Sequence, residues 1–149
     1  MTLQLEFPGI PFSKQSSRSR IVQGKGRAFV HHYQSAKVKQ GERNITAMAV
    51  TQLPDGFEPF SGPVIVEDIT FVFPPRKSEK KSTLSLIESG QMVYKTTKPD
   101  LTDNLQKGVF DALEGIVYLN DSQICEVQAV RKIYGKHPGI YMTIKEAAE

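Results

Sequence analysis

Three aspartates and a lysine raise the chemical question. Asp100, Asp103 and Lys107 lie in KPDLTDNLQKGVFDALEG, residues 98–115, and Asp121 follows in IVYLNDSQI. Carboxylate oxygens, with waters and a substrate phosphate, are the ligands Mg²⁺ prefers. Carboxylates that face one another repel unless a cation sits among them. A metal held there would polarise a phosphoryl oxygen and lower the pKa of a bound water, making the nucleophile for in-line attack on a phosphodiester. Lys107, one turn beyond Asp103, would then stabilise charge in the transition state.

Each residue also has a plainer role. Asp100 or Thr102 suits a helix N-cap, and Asp103 complements the positive end of the helix dipole. Asn120-Asp121 is a favoured turn pair. Lys107 has intrahelical partners within reach in Asp103 and Asp111, and Asp111 reads either as solvated surface or as a supporting carboxylate. The helix from Thr102 to Gly115 would be roughly 20 Å long. The acids therefore meet only if IVYLN carries the chain back in an extended form.

The elements that must position these residues come next. Leu105, Val109, Ala112, Leu113 and Ile116 form one apolar stripe, which predicts a helix over 102–114, and Gly115 supplies its C-terminal stop. VIVEDITFVF alternates as a well-buried strand, and LQLEFPGIPF reads as an edge strand broken by prolines. RAFVHHY has strand composition, and SAKVKQGERNITAMAVTQL has helical spacing weakened by Gly41. SKQSSRSRIVQGKG and PPRKSEKKSTLSLIESGQMVYKTTKP read as exposed loops. QICEVQAVRKIYG and GIYMTIKE, joined by KHPG, suggest a closing hairpin. The expectation is an α+β fold in a single domain over 1–149: one mixed sheet packed against two helices, with the acids near a helix N-terminus.

Composition narrows the class. The chain has 149 residues, 39% hydrophobic and 23% charged, with no run long enough to span a bilayer. The start MTLQLEFPGIPF lacks the pattern of a secretory leader, which leads us to expect a cytoplasmic protein. Cys125 is the only cysteine, so an internal disulfide and a multi-cysteine zinc site are excluded. The formal charge is only +3, but it is unevenly spread. Between Phe12 and Asn44 eight cations face the single acid Glu42, whereas from Pro99 to Val127 six acids face the single cation Lys107. A concentrated basic field attracts polyanions. Asp100 and Asp103 do not fit a calcium-binding loop, there is no glycine-rich phosphate loop, and adjacent His31 and His32 face opposite sides of a strand.

The run from Lys98 to Val127 resembles the signature of the RusA-type Holliday junction resolvases, endonucleases common in phages and prophages. In that signature Pro-Asp-x-Asp-Asn-Leu is followed by Lys, by Asp-Ala-Leu-x-Gly, and after a short strand by Asp-Asp-Ser-Gln. Asn104, Leu105, Lys107, Asp111 to Leu113, Gly115, Asp121, Ser122 and Gln123 fall into place. PFSKQSSRSR is similar to the family's opening element. Two positions depart: DLTDN carries one residue more between its acids, and Asn120 stands where many relatives have an acid.

The resemblance implies a homodimeric, Mg²⁺-dependent nuclease, with Mn²⁺ as a possible substitute. Such an enzyme places paired nicks across a four-way DNA junction in recombination and repair, leaving 5′-phosphate ends. It implies that Asp103 and Asp121 ligate the metal with help from Asp100, and that Lys107 acts on the scissile phosphate. Lys14, Arg18, Arg20, Lys25 and Arg27 would neutralise DNA phosphates. Two alternatives stay open: a branched-DNA-binding protein whose acidic site the extra residue has broken, and a metal-dependent nuclease for flaps or single strands.

Overall fold

The computed structural model describes residues 1–14, 18–24, 26–33 and 35–148. It is an α+β fold. Strand β1 (Thr2–Pro8) is followed by a hairpin of β2 (Arg18–Gly24) and β3 (Arg27–Tyr33), then helix α1 (Ala36–Gln52) and strand β4 (Val64–Phe73). Helix α2 (Lys81–Glu88) and the short β5 (Val93–Tyr94) precede a π-helical turn, Leu101–Leu105, which runs into α3 (Gln106–Leu113). A 3-10 turn, Asp121–Gln123, leads to β6 (Ile124–Val127), β7 (Val130–Tyr134) and β8 (Gly139–Glu146).

The main sheet is six-stranded and mixed, in the order β1-β8-β4-β7-β5, with β6 also on β4. Strand β4 is antiparallel to β8 and parallel to both β6 and β7. Alternation decides which face is buried. Leu3, Leu5 and Phe7 of β1 pair with Ile144, Met142 and Ile140 of β8, and all six are buried. With Val64, Val66, Ile69, Phe71 and Phe73 of β4 they form one core with Ile45 and Ala49 of α1 and Val109, Ala112 and Leu113 of α3.

Four expectations change. The stretch expected as a cationic loop contains β2, which pairs antiparallel with β3 in a separate two-stranded sheet, Ile21 standing opposite Val30 and Val22 opposite Phe29 in the register. The expected loop after Pro74 contains α2, a third helix that buries only Ile87. The expected closing hairpin does not form, since β4 lies between β7 and β8. Strand β4 is instead paired along both edges, with Val64, Val66, Ile69, Phe71 and Phe73 buried. Last, the helix expected over 102–114 begins as a π turn, closed by the bond from Leu105 N–H to Asp100 O at 3.2 Å. A π turn takes in one residue more than an α turn, so the extra residue of DLTDN is absorbed there.

Gly41 proves to be a packing residue. A Cβ on Gly41 would lie 2.5 Å from the Phe12 ring, and one on Gly108 of α3 would lie 2.8 Å from it. The two glycines thus let Phe12 wedge between α1 and α3, and Lys14 N–H then bonds Asn104 O at 2.9 Å.

Candidate metal centre

The site is built at the C-terminal end of α3. The helix stops at Glu114, which is extended, and Gly115 turns the chain with φ +82, a value glycine adopts without strain. Gly115 N–H bonds Tyr118 O at 2.7 Å, and Val117 N–H bonds Leu113 O at 3.0 Å, so the return is tight. Tyr118 is fully buried and donates its hydroxyl to Phe110 O. Phe60 N–H bonds Val117 O at 2.8 Å, which fastens the return to the segment before β4.

Asp121 is then presented by a capping box. Asn120 Oδ1 accepts from Ser122 N–H at 2.9 Å, and Gln123 Oε1 accepts from Asn120 N–H at 2.8 Å. Gln123 Nε2 donates to Phe60 O at 2.8 Å and to Gly62 O at 2.9 Å. Asn120 thus works as a cap, with its carbonyl oxygen engaged.

This path brings one carboxylate oxygen from each of Asp111, Glu114 and Asp121 within 4.8 Å of one another. Asp111 is half-buried, and the other two are exposed. Their field acts on Tyr118: burial chiefly, and then the charges of Asp121, Asp111 and Glu114, push its phenol well above the usual tyrosine range. The donor set is all hard oxygen, which fits Mg²⁺ or Mn²⁺.

Asp121 alone of the three aspartates first singled out joins this group. Asp100 is exposed at the start of the π turn and makes no side-chain cap bond; Asp103 is exposed within the turn. Among the described residues neither belongs to a group of three acids meeting the same limit. The chain crosses from Gly115 to Asn120 beside the last turn of α3, while Asp103 lies eight residues before Asp111, about 12 Å along a helix. Lys107 is half-buried in the first turn of α3 and makes no ion pair among the described residues.

Lys14 has a different setting from the one expected of a phosphate contact. Its Nζ lies 2.6 Å from Glu42 Oε1 and 2.9 Å from Asp111 Oδ2. Burial pulls its pKa down, but the bonds from Glu42 and Asp111 outweigh that and hold it above the usual lysine value. Arg18, Arg20 and Arg27 occupy positions on the β2-β3 hairpin, but their side chains, and all of Lys25, lie outside the described residues. Lys39 and Arg43 of α1 line an open cleft of about 600 Å³ together with Asp111 and Glu114. Cationic side chains therefore flank the acids, as binding of a polyanion beside a metal requires. No described helix is long and apolar enough to cross a membrane.

Glu114 was invisible to motif reasoning, and Asp111 stood out only as a supporting acid. The signal for both was their spacing of three on the last helical turn, directly before the glycine that reverses the chain toward Asp121.

Comparison with known proteins agrees with the motif. The family model described as Endodeoxyribonuclease RusA matches residues 8–145. The chain is also 31% identical over 141 residues to the uncharacterized protein YqaN of Bacillus subtilis (strain 168), covering 94% of this chain and 93% of that one.

Proposed function

This chain belongs to the RusA endodeoxyribonuclease family, and from that membership we propose that it is a Mg²⁺-dependent nuclease that resolves four-way DNA junctions by paired nicks, acting as a homodimer. The observation that carries the reading is the convergence of Asp111, Glu114 and Asp121 beside a cleft lined by Lys39 and Arg43. Two symmetric cuts suit a two-fold assembly.

In this reading Asp121 holds the metal with Asp111 and Glu114; the family motif offers the other set, Asp121 with Asp103 and with Asp100 assisting from the π turn, and the titrations below decide between the two. The metal, when bound, supplies an activated water and a Lewis acid for the phosphoryl oxygen. The chain's own residues do the rest. Lys39 and Arg43 draw a DNA strand along the cleft, and Lys107 offsets charge on the scissile phosphate. Arg18, Arg20, Lys25 and Arg27 add sequence-independent phosphate contacts. The products carry 5′-phosphate ends.

The test is Mg²⁺-dependent nicking of a synthetic four-way junction, with linear duplex and flap substrates at the same salt concentration. We expect the wild type to nick the junction preferentially and Asp121→Asn to be inactive. Junction binding without nicking by the wild type would favour a branched-DNA-binding protein, and equal cutting of flaps would favour a less selective nuclease. Cleavage unaffected by Asp121→Asn would refute the site. Mn²⁺ titration of Asp103→Asn and Glu114→Gln assigns the remaining ligands.

A further inference from the structure

We propose that Lys14 is the built-in counter-ion of the carboxylate centre, a positioning residue that holds one oxygen of Asp111 and sets how strongly the cluster attracts a divalent cation. The inference rests on the metal-binding reading above and assigns Lys14 to the metal rather than to DNA.

The geometry leaves Lys14 little freedom. Phe12, two residues earlier, is wedged between Gly41 and Gly108, and the Lys14 backbone N–H is tied to Asn104 O. The side chain passes over α3, its Cβ 3.5 Å from where a Gly108 Cβ would stand. At its end the ammonium spans the two helices, with Glu42 of α1 on one side and Asp111 of α3 on the other. The Lys14 side chain is 13% exposed, against 27% for Glu42 and 24% for Asp111, so the cation is the most enclosed of the three. An ammonium shared between two carboxylates in this way is already committed, and a phosphate would have to displace one of them.

Asp111, Glu114 and Asp121 carry three negative charges, and Lys14 sets one positive charge directly against Asp111, which lowers the attraction the three exert on a cation. Lys14 engages Oδ2 of Asp111, and a carboxylate has two oxygens and several lone pairs, so one ion pair does not exhaust it as a ligand. Glu42 pulls the same ammonium toward α1 and so weakens its hold on Asp111. The two neighbours of the cluster therefore act on it with opposite sign: removing the lysine charge strengthens the pull on a metal, and removing the Glu42 charge weakens it. A merely structural bridge would give both losses the same sign.

The experiment is calorimetric Mn²⁺ titration of the full chain without DNA. Lys14→Met should bind Mn²⁺ more tightly, on the order of tenfold, the effect of losing one unit of like charge a few ångströms from the ion in a water-like medium. Glu42→Gln, which keeps shape and size, should bind it more weakly, and it carries the test alone if Lys14→Met does not fold. Lys14→Arg, with the charge retained, should restore wild-type binding. Affinity independent of both substitutions, or shifted the same way by both, overturns the proposal. So does a Lys14→Met chain whose junction binding in EDTA loses about one unit of salt slope, the mark of a lost phosphate contact. A wild-type chain that binds no Mn²⁺ overturns the metal reading itself, whereas binding blind to Lys14 and Glu42 overturns only this assignment.

Discussion

Gln123→Ala tests whether the 3-10 turn places Asp121. The Gln123 carboxamide makes three bonds, one within the turn and two to the segment before β4: it accepts from Asn120 N–H and donates to Phe60 O and Gly62 O. Each such bond contributes about 0.5–1.5 kcal/mol net. The site is only half-buried, so water recovers part of the loss, and Phe60 O also keeps a long bond from Leu119 N–H at 3.4 Å. That puts the cost at the lower end of the sum, about 2 kcal/mol. Urea unfolding followed by circular dichroism should show a lower midpoint at unchanged slope. Gln123→Glu should cost more, because it keeps the acceptor for Asn120 N–H but turns a carboxylate toward two carbonyl oxygens. Both variants should also weaken Mn²⁺ binding, since Asp121 is then no longer held beside Asp111 and Glu114. A loss below about 0.5 kcal/mol for Gln123→Ala, within the range of an ordinary surface change, would refute the idea that this staple fixes the turn. Wild-type Mn²⁺ affinity in both variants would refute its link to the metal centre.

Two further outcomes follow from buried features of the same region. Tyr118→Phe removes the bond to Phe110 O and should cost about 1 kcal/mol at neutral pH. The folded state holds the Tyr118 proton above the ordinary tyrosine value of 10.0, chiefly through burial, so the stabilisation tied to it is complete below pH 10.0 and is lost as pH rises beyond it. The gap between wild type and Tyr118→Phe in urea midpoints should therefore narrow in that alkaline range, and a constant gap would contradict the assignment. Gly108→Ala places a methyl 2.8 Å from the Phe12 ring and should destabilise by about 1–3 kcal/mol despite alanine's higher helix propensity, whereas a rise in melting temperature would show that the Phe12 wedge is loose.

Much of the architecture could be read from pattern alone. VIVEDITFVF alternates as β4 does, and the apolar positions of LQLEF become the buried face of β1. The stripe Leu105, Val109, Ala112 and Leu113 is buried as its period requires. The family motif was also legible, because its residue types and spacings are local. The pairing of β7 and β8 with opposite sides of β4 was not, since strand adjacency depends on which faces remain free once β4 is buried. Nor was the role of Gly41, whose low helix propensity hides the contact it permits across to Phe12.

The acids divide along the same line. By itself the sequence determined that this chain is acidic in one half and basic in the other, that it carries a nuclease family's signature, and that Asp121 follows a helix closed by Gly115. Only the tertiary structure decided which carboxylates meet Asp121, because that depends on how soon the chain turns after the helix. Gly115, Tyr118 and Gln123 make the return short, and so Asp121 reaches the end of α3, where Asp111 and Glu114 stand, with Lys14 brought in from a segment ninety-seven residues before Asp111.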